Sequence, residues 1–275
     1  MLDVTHATPQ AGNAGLLPRD CLRIVSWNIE RGVQFSKIRD FLRSIQADLL
    51  LLQEVDLGTR RARNRDVATE LAQALQLNCA FGIEFQELSQ GTGPIPAYQG
   101  MATLSPWPLS EPRVIRFQRQ SGFWKPRWYV PNLAVFQRRL GGRIALVAEA
   151  TIHTRKVVTY NIHLESRGDD ALRLQQLDEV LADCRTHVDK PGLVIAGDFN
   201  LDAGTGDAAR LLAGAGFHDA VRVHGSPTTI PHGPSHEARA IDWIFVSDSV
   251  HSQGRVHNGI RASDHYPISA TLGPI

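Results

Sequence analysis

The sequence predicts an α/β protein in which two mixed sheets pack face to face with helices outside, and three observations predict it. Strand-like runs alternate with helix-period segments in the first and last parts of the chain, while the middle reads as strand after strand. Some runs, such as Asp48-Leu49-Leu50-Leu51-Leu52, are continuously apolar, which suits strands covered on both faces. No low-complexity linker interrupts residues 21–275, so they are expected to form one domain. Residues 1–20, rich in Ala, Gly, Thr and Pro, read as a flexible arm.

Taken in order, residues 21–27 have strand character and end at Asn28. Residues 34–45 read as a helix, because Ile38, Phe41, Leu42 and Ile45 fall at i, i+3, i+4 and i+7. The apolar run 48–52 ends at Gln53-Glu54, and Val67, Ala68, Leu71, Ala74 and Leu75 mark a second helix. Residues 79–85 and 100–104 are strands separated by a loop holding Gly91, Gly93, Pro94 and Pro96. Further strands are expected over 114–117, 133–137, 144–151 and 156–160. Residues 169–188 form the clearest helix, with Leu174, Leu177, Leu181, Cys184 and Val188 on one face. A strand over 192–196 runs into Gly197-Asp198-Phe199-Asn200, a short helix covers 207–213, and strands follow at 240–246 and 268–272.

Composition narrows the function classes. Among 275 residues, 43% hydrophobic and 21% charged is ordinary for a globular protein. A formal net charge of +1 excludes a global polycation, so any polyanion must be held by a local basic patch. Cys21, Cys79 and Cys184 are few, odd in number and far apart, which argues against a disulfide framework and fits a reducing, cytoplasmic compartment. No stretch reaches the roughly 18–20 apolar residues of a membrane span, and residues 1–20 lack the basic start and apolar centre of a signal peptide. A monomer is expected.

The chemistry collects at strand ends. Asn28, Glu54, His163, Asp198, Asn200, Asp242, Asp264 and His265 all stand at or just past the end of an apolar run. Each alone has a bland reading: Asp198 as a turn that caps backbone amides, a lone Asn or His as a satisfied core group. By the two-residue period, Asp242 shares a face with Ile244 and Val246, and a carboxylate there needs a partner or a cation. Hard oxygen donors with few nitrogens and no Cys suit Mg²⁺, Mn²⁺ or Ca²⁺ rather than structural zinc. Two basic stretches stand nearby in sequence. Arg60-Arg61-Ala62-Arg63-Asn64-Arg65 is either a solvated surface or a cradle for a polyanion. Residues 116–129 mix Arg and Lys with Phe123, Trp124, Trp128 and Tyr129, which suits base stacking, an interfacial anchor or a hairpin folded back on the core.

Six local motifs occur in a fixed order: Trp-Asn at 27–28, Gln-Glu at 53–54, Asn-Ile-His-Leu at 161–164, Gly-Asp-Phe-Asn at 197–200, Ile-Asp-Trp-Ile-Phe at 241–245 and Ser-Asp-His-Tyr-Pro at 263–267. With them the chain resembles the endonuclease/exonuclease/phosphatase superfamily, the DNase I-like enzymes, over about residues 22–273. The resemblance implies a four-layer α/β/β/α sandwich with the site between the sheets, and metal-dependent hydrolysis of a phosphoester. It implies Glu54 as principal metal ligand, assisted by Asn28 and Asp264. It implies Asp198 as the base for the attacking water, helped by Asn200, which also contacts a phosphate oxygen. It implies His163 and His265 as donors to the non-bridging oxygens, with Asp242 holding His265 cationic. The sequence departs from the secreted nucleases in having Tyr98 and Gln99 where they carry a glutamate for the first histidine. Tyr129-Val130-Pro131-Asn132 copies a stretch of abasic-site endonucleases but lies too early to correspond.

The chemistry agrees with this assignment, because a phosphodiester anion repels hydroxide and needs a cation, a base and donors for developing charge. A Mg²⁺-dependent, nuclease-like phosphodiesterase is the leading expectation, with Arg61, Arg63, Arg65, Trp124 and Arg127 as substrate contacts. The alternative is the same chemistry on sphingomyelin-type headgroups or inositol-type phosphates. A silent binding module would have lost some of the eight carboxylate, amide and imidazole groups, and all are present.

Overall fold

Apolar runs become strands and 3.6-period segments become helices in the computed structural model, which describes residues 4–7, 21–125, 129–152, 155–187, 192–221, 226–231, 237–247 and 251–273. In chain order the elements are β1 (Val4–Ala7), β2 (Leu22–Asn28), α1 (Phe35–Ile45), β3 (Leu49–Leu57), α2 (Val67–Leu75), β4 (Asn78–Glu87), β5 (Tyr98–Ser105), β6 (Leu109–Arg116), β7 (Arg139–Gly141), β8 (Ile144–Ile152), β9 (Arg155–His163), α3 (Asp170–Cys184), β10 (Gly192–Asp198), α4 (Gly206–Gly214), β11 (His218–Asp219), β12 (Asp242–Val246), β13 (His251–Val256) and β14 (Ile268–Gly273). One sheet runs β1-β4-β5-β3-β2-β14-β13, with β7 also pairing β4. The other runs β11-β12-β10-β9-β8-β6. Both are mixed: β2 and β3 are parallel, as are β9 and β10, and their other partners are antiparallel.

The layers follow from which face each element buries. Ile38, Phe41 and Leu42 of α1 and Val67, Ala68 and Leu71 of α2 pack with Val25, Leu50 and Leu52 on the outer face of the first sheet. The alternate residues Ile24, Leu49 and Leu51 point the other way, into one continuous core with Tyr160 and Ile162 of β9, Ile195 of β10 and Leu177 and Leu181 of α3. The run 49–52 is therefore apolar on both faces because both are covered. α2 and α3 start on Asp66 and Asp169, whose carboxylates accept from the backbone N–H three residues on.

Four details differ from the sequence reading. Val4–Ala7, expected to belong to a flexible arm, pairs with β4 as an edge strand. Residues 133–137, expected to be a strand, form a turn in which Phe136 N and Gln137 N both donate to Leu133 O. The apolar side chains of that turn stay exposed, with no neighbouring strand to receive them. α3 buries Leu177, Leu181 and Cys184 of its predicted face and leaves Leu174 half-buried against the same core, but Arg173 and Gln176 are buried as well, because both bind the loop after β9. Val188 lies outside the described residues. β13 carries too few apolar residues for the period to reveal it. No helix among the described residues is long and apolar enough to cross a membrane.

Gly197 lets β10 lie against β9 at the point where the polar residues begin. It has φ +149°, and a Cβ there would stand 1.9 Å from the carbonyl oxygen of Ile162. That oxygen belongs to backbone, which cannot give way alone. Gly197→Ala should therefore destabilise the fold by about 3 kcal/mol or more, or prevent folding, as read by urea unfolding.

Candidate active site

Strand register assembles one half of the site. In the second sheet, Asp198 of β10 is aligned with His163 of parallel β9 and with Asp242 of antiparallel β12. In the first sheet, Asn28 of β2 is aligned with Gln53 of β3, so Glu54 is the next residue. The segment between β13 and β14 then places Asp264 and His265 beside both. Ser263 Oγ donates to Asn28 O at 2.6 Å, and Trp27 Nε1 donates to His265 O at 2.9 Å. Both bonds tie that segment to the end of β2.

The two halves meet on one oxygen. Asp198 Oδ2 accepts from Asn28 Nδ2 at 3.3 Å and is faced by His163 Nε2 at 3.5 Å and His265 Nε2 at 3.8 Å. Its other oxygen accepts from Asn200 N at 2.9 Å. Asn200 sits at φ +54°, a left-handed turn that Asn tolerates, and its side chain donates to Leu164 O at 3.0 Å. Asn28, His163, Asp198, Asn200, Asp242 and His265 are all buried, whereas Glu54 and Asp264 are partly exposed. The opening to solvent therefore lies on the side of these two carboxylates.

Glu54 owes its orientation to a bulge. The pairing of β3 with β5 shifts register between Leu52 and Val55, and Glu54 takes φ +50°. Such a conformation in a long side chain is strained and is common at functional sites. Burial alone would push its carboxyl up, but Arg31, 3.4 Å away, with His163, Arg143 and Arg139 beyond, holds it down at about 2. It is ionised through the neutral range.

Each imidazole has a different support. His265 Nδ1 donates to Asp242 at 2.8 Å. Burial disfavours its charge, but Asp242, Asp198 and Asp264 overcome this and lift it to about 10, so it is a cation at neutral pH. His163 is held otherwise. Arg143 Nη1 lies 2.8 Å and Glu84 Oε2 3.5 Å from His163 Nδ1, and Nε2 faces Asp198. Arg143 is 4% exposed and also donates to Glu84 at 3.1 Å and to Ser166 Oγ at 3.0 Å. Burial works against the Glu84 charge, and His163 and Arg143 together keep its carboxyl below the ordinary range. The glutamate absent at Tyr98 and Gln99 is thus supplied from β4, 3.5 Å from the ring and beside Arg143.

The fold brings the eight strand-end residues toward one place, and gives several of the side chains expected as substrate contacts partners within the protein. Arg61 is bound bidentately to buried Asp56 at 2.6 and 2.8 Å and to Glu87, so it closes a part-buried ion cluster. Arg65 pairs with Glu70 and lies over the Phe35 ring. Arg63 is exposed and caps a turn beside a cavity of about 220 Å³ lined by residues 32–37. Trp124 is packed edge-on against Phe85, with Arg139 and Arg167 over its ring. Arg127 lies outside the described residues. No local spacing marks Arg31, Glu84 and Arg143, since they come from the turn after β2, from β4 and from the β7–β8 turn, which meet only in the fold.

Glu54 and Asp264 carry only oxygen donors and Asn28 adds a carboxamide oxygen, and an ionised, partly exposed Glu54 fits a hard divalent cation. Donor atoms of Asp198, Asp242 and His265 also lie within 4.8 Å of one another. There, however, His265 Nδ1 already donates to Asp242, and Asp198 Oδ2 stands 3.8 Å from its Nε2.

This geometry can be set beside known proteins. The family model described as "Endonuclease/Exonuclease/phosphatase family" matches residues 25–265. The chain belongs to that family. Its fold is similar to an endonuclease/exonuclease/phosphatase from Beutenbergia cavernae, at 22% identity and TM-score 0.68, covering 93% of this chain and 72% of that one. It is similar to a family protein from Leptotrichia buccalis, at 16% identity and TM-score 0.64, covering 91% and 99%. It is also similar to a humanized D. rerio TDP2, at 20% identity and TM-score 0.62, covering 92% and 99%. No sequence among curated proteins matches. Family membership makes the chain a phosphoester hydrolase of the DNase I-like fold.

Two outcomes follow from the buried charges. His265 has its folded pKa raised from 6.5 to about 10, so its pairing stabilises the fold fully below about pH 6.5 and progressively less as pH rises to about 10. The stability gap between wild type and Asp242→Asn, read by urea unfolding, should narrow over that window. Arg143→Met strands the buried Glu84 carboxylate and should cost about 3–5 kcal/mol in the same measurement.

Proposed function

We propose that the protein is a divalent-metal-dependent phosphodiesterase that uses Asp198 to activate water for in-line attack on phosphorus. The observation that carries this reading is the single oxygen, Asp198 Oδ2, faced by Asn28, His163 and His265 from both sheets. A carboxylate so held is oriented to take a proton, and the same imidazoles offer N–H donors for the charge that develops on the phosphoryl oxygens.

Glu54, with Asn28 and Asp264, would hold the metal. Mg²⁺ or Mn²⁺, with Ca²⁺ a third candidate, would supply charge neutralisation of the phosphodiester and polarisation of its oxygen. The protein's own residues do the rest. Asn200 N fixes Asp198 through Oδ1, leaving Oδ2 to the water. His265 donates as a cation because Asp242 keeps it one, and His163 presents Nε2 to the same oxygen while Arg143 and Glu84 hold its ring at Nδ1. One side-chain N–H of Asn200 is committed to Leu164 O, and the second remains for a phosphate oxygen.

A nucleic-acid substrate remains the leading class, as read from the motifs, but the arginine stretch 60–65 supports it less than expected, since Arg61 and Arg65 are paired with carboxylates. The decisive assay is turnover of bis-aryl phosphate, plasmid, single-stranded DNA, RNA, sphingomyelin and an inositol phosphate with Mg²⁺, Mn²⁺ or EDTA. Metal-dependent hydrolysis of at least one is expected, and none at all would refute the proposal. Asp198→Asn should lower kcat by about 10²–10⁴-fold with the fold intact. Glu54→Gln should raise the metal concentration needed for half-maximal rate.

A further inference from the structure

From Pro112 to Ala148 the chain has eight Lys or Arg and not one Asp or Glu, although its formal net charge over 275 residues is only +1. The same stretch carries Phe123, Tyr129, Leu133, Val135 and Phe136, which are 50, 61, 57, 81 and 60% exposed. Among the described residues only two other large hydrophobic side chains, Val33 and Ile95, stand out as far. Of these cations Arg113, Arg139 and Arg143 are paired with Asp183, Glu87 and Glu84, and Arg113, Arg116 and Arg139 stand in the flanking strands, so the loop between β6 and β7 joins the exposed Arg119, Lys125 and Arg138 to this exposed hydrocarbon.

The loop is built to keep this shape. Phe117 turns inward and is buried, and Trp124 leans on Phe85 under Arg139. Gly141 N donates to Trp124 O at 3.1 Å, and Gln120 clasps both the N–H and the carbonyl of Arg143. At the tip, Leu133 N donates to Pro131 O, Phe136 N and Gln137 N donate to Leu133 O, and Gln137 Nε2 donates to Asn132 Oδ1. These backbone groups are satisfied within the turn, so the tip can leave water at lower cost. Arg119, Lys125 and Arg138 are exposed in the same loop.

We infer that this loop seats the protein on an anionic lipid surface. The chemistry of the tip selects that partner. Bases stack on aromatic rings, and Leu133 and Val135, the latter the most exposed large hydrophobic residue described, have no ring to offer. Branched aliphatics with Phe and Tyr, flanked by Lys and Arg, suit the boundary between acyl chains and negatively charged headgroups. The root of the loop touches Arg143, which in turn holds His163, so a seated tip places the site next to the membrane surface. Binding to the surface does not depend on the phosphodiesterase reading, and the two can fail separately.

The test is cosedimentation of the full chain with phosphatidylcholine vesicles, with and without phosphatidylserine, at low and high salt. The protein should pellet with the anionic vesicles and be released by salt. Val135→Ser combined with Phe136→Ser should weaken partitioning at least tenfold, while circular dichroism and the thermal midpoint stay unchanged. Absence of binding to anionic vesicles, or binding insensitive to this double substitution, would overturn the inference. So would loss of single-stranded DNA or RNA binding on the same substitutions without loss of vesicle binding. A concentration-dependent dimer in the ultracentrifuge that the substitutions dissolve would overturn it too, by showing that a second copy covers the tip.

Discussion

The site depends on a row of backbone pairing across three strands. Because β10 runs parallel to β9 and antiparallel to β12, His163, Asp198 and Asp242 stand at one level. A slip of one residue in either pairing would turn the affected side chain to the opposite face. Gly197 permits the close approach to Ile162 that brings the row together. The hydrogen bonds around Asp198 are thus downstream of a register that the apolar residues of β9, β10 and β12 enforce by burial.

A second constraint fixes the sheets against each other. Asn161 on β9 reaches across the interface, donating to Leu52 O and Ala102 O and accepting from Gln53 Nε2 at 2.8 Å. A carboxamide buried between sheets is costly when its partners are missing, so one relative placement of the sheets is strongly preferred. That placement is what lets Asn28, from one sheet, donate to Asp198, from the other. The apolar interior supplies the driving force, and the amides choose the alignment.

Most of this was legible in the sequence because strand ends are where an apolar run gives way to a polar residue. Asn28, Glu54, His163, Asp198, Asp242 and His265 could be read so, and their order carried the family resemblance. What escaped were groups defined only by tertiary proximity. Arg143 lies between two unremarkable glycines and an apolar strand, and Glu84 sits within a run of strand residues; nothing local ties either to His163. The arginines at 61 and 65 misled for the opposite reason, since a basic cluster gives no sign of the acidic partners, Asp56, Glu87 and Glu70, that neutralise it. Residues 133–137 read as a strand because β-branched and aromatic residues predict burial, and here nothing packs over them.

The position of β14 bears on how such a chain is made. β2 lies between β3, next but one in sequence, and β14, which comes from residues 268–273. During synthesis nearly the whole domain can emerge while one edge of β2 still lacks its partner. That edge then presents unpaired backbone N–H and C=O groups, the kind that recruit stray strands. The last strand therefore acts as a latch, and the segment just before it, with Ser263 bonded to Asn28 O, is the one that delivers Asp264 and His265. A nascent chain consequently has no complete site until the latch closes, and closing protects the edge in the same event.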